Sequence, residues 1–118
     1  NLFVHPDEII ELCERTGLRI CLDLSHTALA CNFLKLDLLH EISRLAPYTA
    51  HLHLADASGT SQEGLQIGEG DIDLGSVLQL MLTRMPDAYW LPEIWQGHKN
   101  QGEGFWIAMD RLEAYGRQ

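Results

Sequence analysis

The amino-acid sequence predicts an α/β fold in which parallel strands alternate with helices. Apolar residues recur at helical spacing in four segments, and short apolar runs lie between those segments. Each run ends in a charged or metal-binding side chain. Because a helical segment separates each run from the next, the strands are expected to pair in parallel through crossover connections and not as hairpins.

The first half of the chain contains two predicted helices with a strand between them. The first helix is predicted from Pro6, a residue favoured in a first helical turn, to Gly17, a glycine suited to the position after a helix end. The apolar run Leu18-Arg19-Ile20-Cys21-Leu22 predicts a buried parallel strand that ends in Asp23. Asp37 is placed to cap the second helix.

The second strand is predicted at Thr49-Ala50-His51-Leu52-His53-Leu54 and is followed by Asp56. The polar, glycine-rich stretch from Ala57 to Asp73 is too long for a simple connector, which makes it a candidate functional loop. Gly68 and Gly70 in that loop either make a tight turn or cradle an anion with backbone N–H groups. The remaining elements complete the order αβαβαβα with a helix around Val77–Leu82, a strand at Tyr89–Glu93 and a last helix from about Glu103 to Tyr115.

Composition restricts the classes of partner. The formal net charge of −9 argues against a nucleic-acid surface, which would need clustered lysine and arginine. The sequence lacks a long apolar run that could span a membrane and a recognisable signal peptide, so we expect a cytoplasmic protein. The three cysteines, Cys13, Cys21 and Cys31, are expected to be buried thiols in a reducing compartment.

The residues that end the three predicted strands form a candidate metal site. Asp23, His53 and Glu93 should meet, because the C-terminal ends of neighbouring parallel strands lie at one edge of the sheet. One imidazole and two carboxylates suit Mn²⁺, Co²⁺, Mg²⁺ or Zn²⁺. The alternative is that such carboxylates only cap helices or accept hydrogen bonds from loops. We expect Asp56 to orient His53 or the loop, and His51 to be a hydrogen-bonded core residue.

Four segments of the sequence resemble motifs of one superfamily and occur in its order. They are similar to the L-D-x-x-H, H-x-x-D, I-G-E-G-x-I-D and L-x-E-I segments of the AP endonuclease family 2 and xylose isomerase-like superfamily. The segments are Leu22-Asp23-Leu24-Ser25-His26, His53-Leu54-Ala55-Asp56, Ile67-Gly68-Glu69-Gly70-Asp71-Ile72-Asp73 and Leu91-Pro92-Glu93-Ile94. Together they extend over almost the whole chain.

The resemblance implies that residues 1–118 are a single partial domain, the C-terminal half of a (β/α)₈ TIM barrel with its last three strands and four helices. A complete barrel needs about 250 residues, so we expect a longer chain, with the missing barrel half or a second copy covering the open sheet edges. By the same resemblance Asp23, His53 and Glu93 are metal ligands, and His26 contacts the substrate or a second metal. The fourth ligand of the family would be a glutamate just before Asn1.

The superfamily includes several enzyme classes. The endonucleases need a further Asp and His before the glycine turn, where this chain has Gln62-Glu63-Gly64-Leu65-Gln66. The single-metal set instead favours a sugar or sugar-phosphate isomerase or epimerase, in which the metal stabilises an enediolate and Glu93 transfers a proton. His98 and Lys99 either bind a phosphate or carboxylate of the sugar substrate or are ordinary solvated loop residues.

Several alternatives remain open from the sequence. A metal-dependent dehydratase would use the same residues, and an AP endonuclease-like hydrolase is disfavoured but not excluded. The segment after Glu93 faintly resembles barrel domains of acidic-sugar biosynthesis enzymes. A non-catalytic half-barrel that serves binding or assembly is the alternative from another class. We expect the isolated chain to be inactive without its N-terminal complement.

Overall fold

The computed structural model of the chain describes residues 5–116, in which helices alternate with strands. Five α-helices and five strands lie in this range, together with one short 3₁₀ helix. In chain order they are α1 (Pro6–Thr16), β1 (Ile20–Asp23), α2 (Leu24–Leu34), α3 (Leu38–Leu45), the 3₁₀ helix (Ala46–Tyr48), β2 (Thr49–Leu54), β3 (Asp56–Ser58), β4 (Gln62–Leu65), α4 (Leu74–Arg84), β5 (Tyr89–Pro92) and α5 (Lys99–Gly116).

The main sheet has the strand order β1-β2-β5, and both strand pairs are parallel. Asp23 of β1 lies opposite His53 of β2, and His53 in turn lies opposite Leu91 of β5. The predicted α/β fold with three parallel strands is therefore confirmed. Within residues 5–116 the sheet ends at β1 on one side and at β5 on the other, as expected of part of a barrel that is not closed.

The two faces of this sheet differ in burial. Leu22, Leu52 and Leu54 point to the helix side and are almost fully buried. They share one core with apolar side chains of α3, α4 and α5, namely Ile42, Leu45, Val77, Leu78, Met81 and Ala108. The opposite face is open, because Tyr89 keeps 76% and Leu91 42% of its surface exposed. We call this second side the open face of the sheet; it includes Cys21, Asp23, His51, His53, Tyr89 and Leu91.

Most predicted helix boundaries are confirmed by local contacts. Gly17 follows α1 in the left-handed region with φ of 74°, where a glycine carries no steric penalty. Asp37 caps α3 by accepting a hydrogen bond from the His40 N–H at 2.9 Å. Asp73 caps α4 by accepting one from the Ser76 N–H at 3.3 Å.

Helix α2 was not predicted from the sequence. It begins directly after Asp23, whose carboxylate caps it by accepting a hydrogen bond from the His26 N–H at 2.9 Å. The helix is apolar around much of its circumference, so the period of 3.6 residues that identifies an amphipathic helix is weak. With no linker between strand and helix, the boundary also lacks a turn signal.

The stretch 57–73 is more ordered than the predicted loop. β3 and β4 form an antiparallel hairpin in which Asp56 lies opposite Leu65 and Ser58 lies opposite Gln62. The Gly64 carbonyl accepts a hydrogen bond from the Trp95 N–H at 2.8 Å, and this bond holds the hairpin against the segment that follows β5. The hairpin therefore lies beside the C-terminal ends of the parallel strands.

Candidate metal centre and adjoining cavity

Asp23, His53 and Glu93 lie side by side at the C-terminal edge of the main sheet. Asp23 is the last residue of β1, and its Cα partner across the sheet is His53. Glu93 directly follows β5, and its backbone N–H donates to the Leu54 carbonyl at 2.9 Å. This bond continues the pairing of β2 with β5 by one residue and positions the backbone of Glu93 at the edge of the sheet.

The three side chains are close enough to bind one cation. Each offers one ligand atom, and these atoms all lie within 4.8 Å of one another. Nδ1 of His53 lies 2.7 Å from Oε2 of Glu93. Two carboxylates and one imidazole fit a divalent cation that accepts oxygen and nitrogen ligands. The structure thus brings together the three residues that the sequence predicted, while their role as ligands stays a prediction.

Asp23 also has the structural role that the sequence left open as an alternative. Its Oδ1 accepts the capping bond of α2 and lies 3.2 Å from Nδ1 of His26. Because both contacts use Oδ1, the capping role and metal binding through the second oxygen are compatible. The side chain of Asp23 is 25% exposed, so it is accessible from the open face of the sheet.

His26 lies between two carboxylates. Nδ1 contacts Asp23, and Nε2 forms an ion pair with Glu63 at the hairpin. Partial burial lowers the pKa of His26, but the charges of Asp23 and Glu63 and their hydrogen bonds outweigh this effect, so its pKa lies above the ordinary value of 6.5. His26 is therefore positioned to carry a positive charge beside the candidate metal centre.

A cavity of about 400 Å³ adjoins these residues. Its wall includes Asp23 and Glu93 of the candidate metal centre, His26 with its partner Glu63, and Trp95 and His98 from the segment after β5. Lys99 is exposed and precedes a kink at Asn100–Gly102, where the backbone is not helical, so the continuous part of α5 begins at about Glu103 as the sequence predicted. The predicted substrate-binding residues His26 and His98 thus line one cavity, whereas Lys99, the next residue after His98, is not among the residues that line it.

Glu63 and Ser25 are residues of this region that sequence reasoning missed. Ser25 is 3% exposed, donates through its hydroxyl to the Asp56 carbonyl at 3.2 Å and accepts from the Gly64 N–H at 2.9 Å. It therefore ties α2 to the hairpin that carries Glu63. The only sequence signal for Glu63 is its acidic character, which does not indicate a contact with His26.

Asp56 holds the glycine-rich turn. Its carboxylate is fully buried and accepts hydrogen bonds from the backbone N–H groups of Ala57 at 2.9 Å, Gly68 at 3.0 Å and Ile72 at 3.3 Å. Of the two roles expected for Asp56, the structure thus shows the one in the loop. Of the two glycines considered for an anion cradle, Gly68 donates its backbone N–H to a carboxyl group of the chain itself, that of Asp56.

The expectations for histidine and cysteine burial need two corrections. Cys13 and Cys31 are buried as predicted, and burial raises the pKa of Cys31 to about 11. Cys21 is exposed on the open face of the sheet, because alternation along β1 buries Leu22 instead. His51 is half-buried on the same face and is not a core residue. Asn1 and the predicted position of the fourth ligand lie outside the described residues.

Within residues 5–116 there is no helix both long and apolar enough to cross a bilayer. Searches among curated proteins and among solved structures each found no match. A family model described as xylose isomerase-like TIM barrel matches residues 1–114. This match extends over nearly the whole sequence and agrees with the parallel sheet and with the group of potential metal ligands at its edge. The chain belongs to the xylose isomerase-like TIM-barrel family, a superfamily of sugar isomerase- and epimerase-like proteins.

Proposed function

We propose that this chain forms the metal-binding part of a sugar or sugar-phosphate isomerase or epimerase. The observation that carries the proposal is the convergence of Asp23, His53 and Glu93 on one point at the ends of three adjacent parallel strands. A purely structural role would not require three potential ligands from three strands to lie within 4.8 Å of one another. Membership of a family that often uses divalent metals supports the same conclusion.

In the proposed chemistry three side chains hold the metal, and one of them also transfers the proton. Asp23, His53 and Glu93 would hold Mn²⁺, Co²⁺, Mg²⁺ or Zn²⁺. When bound, such a cation polarises the carbonyl and hydroxyl oxygens of a sugar and lowers the cost of forming an enediolate. Glu93, which keeps 58% of its side chain exposed, is accessible to a substrate and would accept or return the proton that moves between adjacent carbons.

His26 is the proposed substrate-binding and acid-base partner of Glu93. Its raised pKa favours the imidazolium form, which would bind a hydroxyl, phosphate or carboxylate group of the sugar. A substrate would compete with Glu63 for Nε2 of His26, so Glu63 keeps the imidazole oriented until the substrate arrives. His98 on the cavity wall, with Lys99 next to it in the chain, would add donors for an anionic group, which suits a phosphorylated or acidic sugar in the cytoplasm.

We also propose that the site works only in a completed barrel. The open face of the sheet exposes Tyr89 and Leu91, and both edge strands leave backbone groups unpaired within the main sheet. The missing barrel half, or a second copy of the chain, would cover these surfaces and supply the fourth ligand. In this proposal residues 1–118 are one partial domain of a larger enzyme, and the isolated chain is inactive.

Metal binding and proton transfer provide the test. Calorimetric titration with Mn²⁺ should show one site, and Asp23→Asn and Glu93→Gln should each weaken binding at least about tenfold, since each removes a charged ligand. Asp71→Asn, which changes an exposed carboxylate of the neighbouring loop, is the matched control and should leave affinity unchanged.

Activity requires the complete barrel. In a chimera that joins the N-terminal half of an active family member to this chain, Mn²⁺-dependent exchange of a sugar C2 proton with D₂O should appear and should be lost in Glu93→Gln. Metal binding without exchange across aldoses, ketoses and their phosphates would favour a non-catalytic module. If none of the four cations binds to the wild-type chain in a way that Asp23→Asn and Glu93→Gln weaken, the proposed function is refuted.

A further inference from the structure

A second group of metal-binding side chains lies on the open face of the sheet, one layer below Asp23 and Glu93. Cys21 lies two residues before Asp23 on β1, and its Cα partner on β2 is His51. His51 lies two residues before His53, and the two rings are 5.2 Å apart between centroids. One ligand atom each from Cys21, His51 and His53 lies within 4.8 Å of the others.

We propose that Cys21, His51 and His53 form a second metal site, selective for a thiophilic cation such as Zn²⁺. One thiolate and two imidazoles are the ligands that such cations prefer, whereas Mg²⁺ and Mn²⁺ prefer oxygen. Three protein ligands leave the fourth tetrahedral position to water or to another donor. On binding, the Cys21 thiol releases its proton to solvent and its sulfur becomes a ligand.

In the isolated chain the surroundings of the group leave it accessible. Cys21 is exposed and is not part of a disulfide, and the two imidazoles are half-buried on the same side of the sheet. Strand pairing holds Cys21 beside His51 in the folded chain, so the ligands are largely preorganised. The other two cysteines, Cys13 and Cys31, are buried and do not offer a competing thiol at the surface.

His53 belongs to both groups, which links the second site to the proposed function. It is shared with Asp23 and Glu93 on one side and with Cys21 and His51 on the other. A cation that takes His53 into the sulfur-containing site withdraws it from the oxygen-rich site. If the proposed function holds, a thiophilic metal bound at the second site therefore competes with the cation held by Asp23 and Glu93 for one histidine.

Co²⁺ alone is the probe for the second site, because sulfur bound to Co²⁺ gives a near-ultraviolet charge-transfer band that oxygen and nitrogen ligands do not give. Wild type, Asp23→Asn and Glu93→Gln should all show this band. Cys21→Ser should lose it, and His51→Gln should weaken Co²⁺ binding at least about tenfold because one ligand is removed. Cys31→Ser, a change at a buried thiol, is the matched control and should keep the band.

A second measurement follows the thiol itself. Saturating Zn²⁺ should protect Cys21 of wild type from alkylation by iodoacetamide, while the Asp23→Asn variant should be protected equally. Circular dichroism of each variant checks that the fold is retained. If wild type shows no charge-transfer band and Zn²⁺ does not slow alkylation, the second site is refuted, whether or not Mn²⁺ binds to Asp23 and Glu93.

Competition between the two sites for His53 is measured separately. Excess Mn²⁺ should diminish the Co²⁺ charge-transfer band of wild type but not that of Asp23→Asn, in which the oxygen-rich site is weakened. A band that persists unchanged in wild type saturated with Mn²⁺ would show that both sites fill together and would overturn the competition. If wild type binds no Mn²⁺ but still shows the Co²⁺ charge-transfer band, the proposed function alone is refuted and the second site stands.

Discussion

Replacement of Asp56 should destabilise the chain more than replacement of any exposed carboxylate nearby. The Asp56 side chain is fully buried and accepts hydrogen bonds from the backbone N–H groups of Ala57, Gly68 and Ile72. In Asp56→Ala all three donors lose their acceptor. They belong to the hairpin and to the glycine-rich turn, so the change would loosen the segment that positions Glu63.

The size of the effect follows from the hydrogen bonds lost. Leaving a buried donor without its acceptor costs about 1–3 kcal/mol, and the hydrogen bonds from Gly68 and Ile72 are only partly buried, which favours the lower part of the summed range. We therefore expect Asp56→Ala to lower the free energy of unfolding by about 3–5 kcal/mol. Asp56→Asn keeps one acceptor oxygen, so it should lower the free energy of unfolding by about half as much as Asp56→Ala. The free energy of unfolding of a typical domain is only about 5–15 kcal/mol in total.

Urea unfolding followed by far-ultraviolet circular dichroism measures this loss as a shift of the midpoint. The matched control is Asp71→Ala, because Asp71 lies in the same loop, is exposed, and accepts from the Ser58 hydroxyl and the Gly59 N–H, both at 3.1 Å. The control should cost less than about 1 kcal/mol. Equal midpoints for the Asp56 and Asp71 variants would contradict the role given to the buried carboxylate.

Two further predictions concern glycine packing and pH. Gly70→Ala should lower the free energy of unfolding, measured in urea, by about 1–3 kcal/mol. The reason is that an added Cβ would lie 2.2 Å from the Ala57 carbonyl oxygen. Gly75→Ala in α4 is the control, because its Cβ would meet nothing closer than 3.9 Å, and it should be neutral or stabilising. The hydrogen bonds that Asp73 accepts from Ser76 hold the pKa of its carboxyl below 3.8. Wild type should therefore be more stable than Asp73→Ala, with the full difference present above pH 3.8. The difference should disappear as the pH falls through the lowered pKa of Asp73. A difference that grows in acid would contradict the capping role.

Local sequence signals predicted the parallel sheet well. The apolar run of β2 and the residues that bound α1 and α3, such as Gly17 and Asp37, act over a few residues and are recognisable without tertiary information. Helix α2 was missed because its helical period is weak and because it follows Asp23 without a linker. The hairpin of β3 and β4 was missed because Gln62–Leu65 is polar, and its strands are fixed by contacts with Ser25 and Trp95, which are distant in sequence.

The same distinction applies to the candidate site. Asp23, His53 and Glu93 could be predicted because each lies at or next to the C-terminal end of a strand, and parallel pairing brings strand ends together. The contact between His26 and Glu63 could not be predicted, because it depends on where the hairpin folds over the edge of the sheet. The role of Asp56 in the glycine-rich turn likewise depends on a chain reversal of which the sequence shows only the glycines.

The central claim is that Asp23, His53 and Glu93 bind a divalent cation in this chain. Crystals grown with Mn²⁺ and measured at the manganese absorption edge test it most directly, because anomalous scattering locates the ion without assuming its ligands. The account predicts one peak at coordination distance from all three side chains, and no peak there in Glu93→Gln. A peak bound elsewhere, or no peak in wild type at saturating Mn²⁺, would contradict the account.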